Sequence, residues 1–186
     1  RVDALIGDDP LDLIVGGPPC QAYSIVGRSR SETGMVGDQR NYLYRHYADF
    51  LRRYQPRYFV FENVLGLLSA KDEDGTLHFD NMRALFRECG YSTEFRTLNA
   101  SDYGVLQNRK RIILIGMRGE HEGFYPNIPV VPNNYYVSEI FDDLPAIQAG
   151  GGTIEPVPTA HYDGRYLYES GIKEYDTEPV TFHQAR

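Results

Sequence analysis

The chain has 186 residues, a formal charge of −7 and a mean hydropathy of −0.46, with 41% hydrophobic and 13% aromatic residues. Such a length sets one domain or part of a larger one, and such a composition excludes a disordered or low-complexity chain. It also excludes a helical membrane protein, because no apolar run approaches the ~20 residues that crossing a bilayer needs. Two cysteines, Cys20 and Cys89, are too few for a disulfide framework or a cysteine-built metal cluster. With no signal-peptide pattern at Arg1–Leu5, a reduced, intracellular and cytoplasmic setting without a metal is expected. The charge is uneven. Residues 1–118 hold 16 Lys and Arg against 15 Asp and Glu, a balance of +1, while residues 119–186 hold 3 against 11, a balance of −8. Net acidity argues against a nucleic-acid partner, but that objection does not reach the first two thirds.

In chain order, Leu11-Asp12-Leu13-Ile14-Val15-Gly16 predicts a buried parallel strand. A Gly-, Ser- and Arg-rich loop runs from Gly17 to about Gln39. Leu43, Tyr47, Phe50, Leu51 and Tyr54 recur at helical spacing and predict an amphipathic helix over about 41–55, ended by Pro56. Arg57 to Phe61 reads as a second buried strand, and Lys71 to Gly75 as a solvated turn. Phe79, Met82, Leu85 and Phe86 mark a helix closed by Gly90. Residues 91–98 read as a strand, and Arg111 to Met117 as a third strongly apolar one. Strands alternating with helices imply an α/β fold with a doubly wound, mostly parallel sheet, in which ligands bind beyond the carboxyl ends of the strands. After Arg118 prolines and glycines multiply, and Gly150-Gly151-Gly152 reads as a flexible turn.

Three motifs carry chemistry. In Gly16-Gly17-Pro18-Pro19-Cys20, two prolines fix the backbone ahead of a cysteine just past a strand, aiming its sulfur outward from a rigid mount. Only the thiolate is a good nucleophile, so a cationic or polar neighbourhood is expected around Cys20. Cys89, beside Gly90 at a helix end, reads as packing. In Phe59-Val60-Phe61-Glu62-Asn63-Val64, a carboxylate directly after a buried strand is costly unless it is paired or used. Desolvation would suit Glu62 to donate a proton near neutrality. The competing reading is a carboxylate capping a helix that starts near Leu65. In Gln107-Asn108-Arg109-Lys110-Arg111, an extended chain puts Arg109 and Arg111 on one side, suited to clamp a carboxylate, a phosphate or a base edge. A solvated basic strand end is the bland alternative.

Taken in order, Pro-Pro-Cys-Gln at 18–21, Glu-Asn-Val at 62–64 and Gln-x-Arg-x-Arg at 107–111 closely resemble the DNA (cytosine-5) methyltransferase family. The stretch Asp38-x-Arg40-Asn41-x-Leu43-Tyr44 is similar to the one that opens the following helix in that family, and Val180 to Arg186 to a segment shortly before its target-recognition region. The resemblance implies an S-adenosylmethionine-dependent, Rossmann-like methyltransferase fold, here incomplete: residues 1–118 form the central part of the catalytic domain, and 119–186 an acidic segment leading toward a recognition region that is absent. It implies Cys20 as nucleophile toward C6 of a cytosine, Glu62 as the acid at N3, Asn63 as support for the pocket, and Arg109 and Arg111 as contacts to the base. Pro19 and Leu43 match positions that line the S-adenosyl-L-methionine site. A base inside a duplex cannot reach such a pocket, so the target of double-stranded DNA is flipped out. Gln21, Ser24, Arg28, Arg30 and Gln107 are then expected against DNA, the two loop arginines closing on phosphates. The complete enzyme is expected to act as a monomer, as the modification partner of a bacterial restriction system; this segment alone is expected to be inactive. Three alternatives remain: a tRNA cytosine-5 methyltransferase with the same motifs, a catalytically silent methyltransferase-like regulatory subunit, and a thiol hydrolase. The last needs a histidine base, and His46, His78, His121, His161 and His183 stand in contexts that suggest none.

Overall fold

A computed structural model describes residues 3–7, 9–19, 42–72, 74–131 and 135–140, with 148, 151, 157–158, 169 and 182–183. Helix α1 (Asp3–Ile6) precedes strand β1 (Leu13–Gly16), followed by α2 (Leu43–Tyr54) and β2 (Tyr58–Asn63). A 3-10 turn (Leu65–Leu68) leads to α3 (His78–Glu88) and β3 (Tyr91–Asn99), and a second 3-10 turn (Ala100–Asp102) to β4 (Lys110–Arg118). Beyond lie α4 (Val137–Ile140) and the short pair β5 (Val157–Pro158) and β6 (Phe182–His183), joined antiparallel. Among the described residues no helix is long and apolar enough to cross a membrane.

The main sheet has the order β1-β2-β4-β3. β1 and β2 are parallel, from Leu13 opposite Tyr58 to Gly16 opposite Phe61, and β4 is antiparallel to both β2 and β3. Three strands therefore run one way and β4 alone runs against them, so the mostly parallel sheet holds with one reversed member. Its direction has a local cause. Only ten residues, with no α-helix, join Asn99 to Lys110, whereas a parallel return needs a crossover of a dozen residues or more.

One face of the sheet is the core. Phe59 and Phe61 of β2 lie beside Gly116 and Leu114 of β4, and α2 and α3 cover them with Tyr47, Leu51, Met82 and Phe86. The rings meet edge to face, with Phe59–Phe86 centroids 4.9 Å apart and Tyr47–Phe61 5.3 Å apart, a preferred aromatic geometry. Helix α2 buries Tyr44, Tyr47, Ala48 and Leu51, a stripe at i, i+3, i+4 and i+7. Phe50, expected on that stripe, is exposed and stacks on Tyr54 instead. Two apolar stripes interleave on this helix, and the sheet takes the one centred on Tyr47.

Strand β1 departs from the burial expected of it. Its residues alternate, and Leu13 and Val15 are 48% and 68% exposed, because among the described residues β1 is the outer strand and its second face is not covered. The 71–75 turn is exposed at Lys71, Asp74 and Gly75 as expected, and among its described residues only Asp72 turns inward. Asp72 accepts hydrogen bonds from the Tyr42 hydroxyl at 2.8 Å and Asn81 Nδ2 at 2.7 Å, and buried His78 stands 3.5 Å away. Past Arg118 the chain stays attached to the sheet. Glu94 accepts the backbone N–H groups of Gly123 and Tyr125, and the buried Tyr125 donates its hydroxyl to the Ile113 carbonyl at 3.2 Å.

Candidate active site

The parallel pairing of β1 with β2 puts their carboxyl ends side by side, because Gly16 stands opposite Phe61. The next residue on each strand, Gly17 and Glu62, are then in contact. A Cβ built on Gly17 would lie 2.7 Å from Glu62 Oε2 and 3.3 Å from the Glu62 carbonyl oxygen. One residue on, Asn63 is 1% exposed; its Nδ2 donates to the Pro18 carbonyl at 3.4 Å, and its Oδ1 accepts the Val64 N–H at 2.9 Å. The loop after β1 is thus tied to the end of β2 on both of its first two residues.

Strand β4 brings the cation. Ile113 stands opposite Glu62 in the antiparallel ladder, so Arg111, two residues earlier in β4, is its diagonal neighbour on the same face. The long side chain spans the diagonal, and Arg111 Nε meets Glu62 Oε1 at 2.7 Å. A guanidinium at that distance makes a charge-assisted bond and orients the carboxylate. Glu62 retains 41% side-chain exposure, so the desolvation expected for it is partial. It is also a strand residue and not a cap: the 3-10 turn that follows has no side-chain cap.

The partners expected at the other positions separate into two groups. Arg109 precedes β4, where its carbonyl accepts the Ala100 N–H at 3.0 Å, and its side chain is exposed. Among the described residues, Arg111 is the cation paired with Glu62. Gln107 is exposed on the same 3-10-to-β4 connection. Pro19 is exposed beyond β1, and Leu43 is half-buried in the first turn of α2. Helix α2 runs back against β1 and β2, so its first turn belongs to the same edge as the carboxyl ends of those strands. Cys20, Gln21, Ser24, Arg28 and Arg30 lie outside the described residues. Cys89 packs as expected. Its sulfur faces the Ala48 carbonyl at 3.9 Å among core side chains, and burial pushes its thiol pKa up, away from nucleophilic use.

Two features escape motif reading. Gly17 matters through a contact across strands, and Tyr47, read only as a member of an apolar stripe, places its hydroxyl on the backbones of β1 and β2. A tyrosine on a stripe that leucine or phenylalanine would fill equally well is the one signal available for it.

Residues 3–154 match the family model for C-5 cytosine-specific DNA methylases. Among curated proteins, the type II methyltransferase M.Bpa9945I of Bacillus paralicheniformis is 43% identical over 95% of this chain and 42% of its own length. M.DdeI, a type II methyltransferase of Desulfomicrobium norvegicum, is 35% identical over 94% of this chain and 42% of its own. The chain spans less than half the length of these relatives. A solved structure assigned as a DNA modification methyltransferase of an E. coli prophage superposes with a TM-score of 0.57, covering 88% of this chain and 44% of that one. At 24% identity that likeness concerns the fold.

Proposed function

The chain belongs to the C-5 cytosine-specific DNA methylase family, and from that premise we propose that it is the central part of a DNA cytosine-5 methyltransferase of a bacterial restriction-modification system. The carrying observation is the carboxylate of Glu62, held 2.7 Å from Arg111 and packed against Gly17 three residues before Cys20. The type II relatives over nearly the whole of this chain support the restriction-modification setting. Residues 1–118 carry the catalytic part, and 119–186 lead toward a target-recognition region.

The proposed chemistry begins on a cytosine flipped out of double-stranded DNA. The Cys20 thiolate attacks C6, and the electron pair of the C5–C6 double bond moves to make C5 nucleophilic. Glu62 donates a proton at N3, so the ring does not accumulate negative charge as sulfur adds. Arg111 holds Glu62 in place, Arg109 supplies a second cation at the base, and Asn63 keeps the Pro18 carbonyl, two residues before Cys20 in the sequence, at the end of β2. S-adenosyl-L-methionine, when bound, supplies an electrophilic methyl group for C5. Loss of the C5 proton to solvent expels the Cys20 sulfur as a thiolate, and return of the N3 proton to Glu62 restores the neutral aromatic ring and the starting enzyme.

The residues present fit one side of such a cofactor. Exposed Pro19 and half-buried Leu43 offer apolar surface at the ligand-binding edge of the sheet, suited to pack on its uncharged parts. Gln21, Ser24, Arg28, Arg30 and Gln107 would contact the DNA, the arginines through phosphates.

Duplex DNA containing 5-fluorocytosine provides the test, since fluorine cannot leave C5 as the proton does and the sulfur stays attached. With the full-length protein and S-adenosyl-L-methionine, an adduct that survives SDS is expected, and it disappears in Cys20→Ala. Glu62→Gln is expected to slow capture by about 10²–10⁴-fold, the usual worth of a positioned acid. Methylation that persists in Cys20→Ala overturns the reading.

A further inference from the structure

The ring of Tyr47 is ordinary core: it packs edge to face on Phe59 and Phe61 and is 9% exposed. Its hydroxyl is not ordinary. A buried hydroxyl costs free energy unless it is bonded, and phenylalanine would fill the same space without that cost. Here the oxygen lies 3.0 Å from the Val60 carbonyl and 3.2 Å from the Ile14 carbonyl, so one proton is shared between neighbouring parallel strands. Both acceptors lie two residues before the ends that matter, Gly16 on β1 and Glu62 on β2. The same ring forms the seat of Gly16, whose added Cβ would lie 2.9 Å from Tyr47 Cε2.

Among the described residues, the strand held in this way has its ladder with β2 on one side only. β1 is four residues long, is the outer strand of the sheet among the described residues and leaves Leu13 and Val15 exposed on its second face. Past Gly16 the sequence runs through Gly17 and two prolines of fixed φ before Cys20, which leaves few backbone torsions free to absorb an offset at the end of β1. The side-chain tie just beyond the strand, Asn63 to the Pro18 carbonyl, is long at 3.4 Å.

We propose that Tyr47 is a positioning residue, whose hydroxyl bridges the backbones of β1 and β2 and sets the strand end leading to Cys20 against the strand end carrying Glu62. This deepens the reading above and rests on it. Burial pushes the phenol pKa well above its ordinary value, so the bridge keeps its proton through the working pH range.

Tyr47→Phe in the full-length protein removes the oxygen and keeps the ring. Single-turnover capture on 5-fluorocytosine duplex and kcat are expected to fall about tenfold, as for a small misplacement of reacting groups, while KM for DNA stays within about twofold. Gly16→Ala approaches from the other side, pushing on the ring with the hydroxyl intact, and is expected to slow capture similarly. Because both act on one bridge, the double variant is expected to be little slower than either single one. Met82→Leu, a buried core position on α3 with no hydrogen-bonding group, controls for stability and is expected to keep the wild-type rate. Capture in Tyr47→Phe within about twofold of wild type overturns the positioning role, as does equal slowing in Met82→Leu. If the wild-type protein forms no Cys20-dependent adduct, the functional reading fails and this inference fails with it. A Cys20-dependent adduct indifferent to Tyr47→Phe removes this inference alone.

Discussion

Glu62 leaves no room for a side chain at position 17. The backbone of Gly17 does not need glycine for its conformation, since its φ is not positive; the constraint is the carboxylate 2.7 Å from where a Cβ would sit, with the Glu62 carbonyl at 3.3 Å. The carboxylate can swing but the carbonyl cannot, so Gly17→Ala is expected to push Glu62 off Arg111. The cost to stability is about 1–3 kcal/mol, as for other overpacked sites. Covalent capture of 5-fluorocytosine DNA is expected to slow by about 10²-fold, the scale of a 1 Å misplacement. In Glu62→Gln, where the oriented acid is already gone, the added Gly17→Ala change is expected to matter much less. A Gly17→Ala protein that captures DNA at the wild-type rate would show that this contact has no part in placing the acid. The Glu62–Arg111 pair was within reach of the sequence, because an isolated carboxylate after a buried strand calls for a cation and the basic run at 109–111 offered one. The Gly17 contact was not, because it depends on the register between strands 45 residues apart.

The same contrast holds for strands and helices. Apolar runs of strand length announced β1, β2 and β4, and Pro56 and Gly90 marked the ends of α2 and α3 to within a few residues, since those signals are local. The reversal of β4, the exposed face of β1 and the phase of α2 are decided by neighbours, and periodicity alone cannot see them. The β2–β4 pairing depends on one such neighbour. Phe59 lies across Gly116, its register partner, and a Cβ there would fall 1.9 Å from Phe59 Cε1. The ring cannot retreat, because Phe86 and Tyr91 hold it edge to face at 4.9 and 5.2 Å. Gly116→Ala is therefore expected to destabilise by at least about 1–3 kcal/mol, read as a lower denaturant midpoint at unchanged slope. Adding Phe59→Leu, which vacates the ring's place, is expected to recover part of that loss. A single variant as stable as wild type would mean that the pairing tolerates a wider gap than this geometry allows.

Across the molecule, buried tyrosines join elements that are distant in sequence. Tyr91 at the start of β3 donates to the Pro56 carbonyl at 2.7 Å, binding β3 to the α2–β2 connection, and Tyr125 donates to the Ile113 carbonyl of β4 at 3.2 Å. Each hydroxyl works only while protonated, and desolvation favours that neutral form: the Tyr91 pKa is pushed up to about 12, with Tyr44, Tyr47 and Tyr125 also raised. In the unfolded chain these phenols ionise near their ordinary value of about 10. Above that pH the unfolded state binds fewer protons than the folded one, so stability falls as pH rises. The contribution of Tyr91 is thus complete below about pH 10 and lost between about 10 and 12. The fold is expected to be flat in stability to about pH 9, then to unfold cooperatively, with the phenolate absorbance of the buried tyrosines rising in the same transition and not before it. Tyr91→Phe sharpens the expectation. It loses the bond to Pro56 and should be about 1 kcal/mol less stable at neutral pH, yet the gap to wild type should close as pH passes 10, because the variant has no proton to lose there. A gap that stays constant from neutral pH to about 12 would mean that the buried phenol is not what alkali attacks.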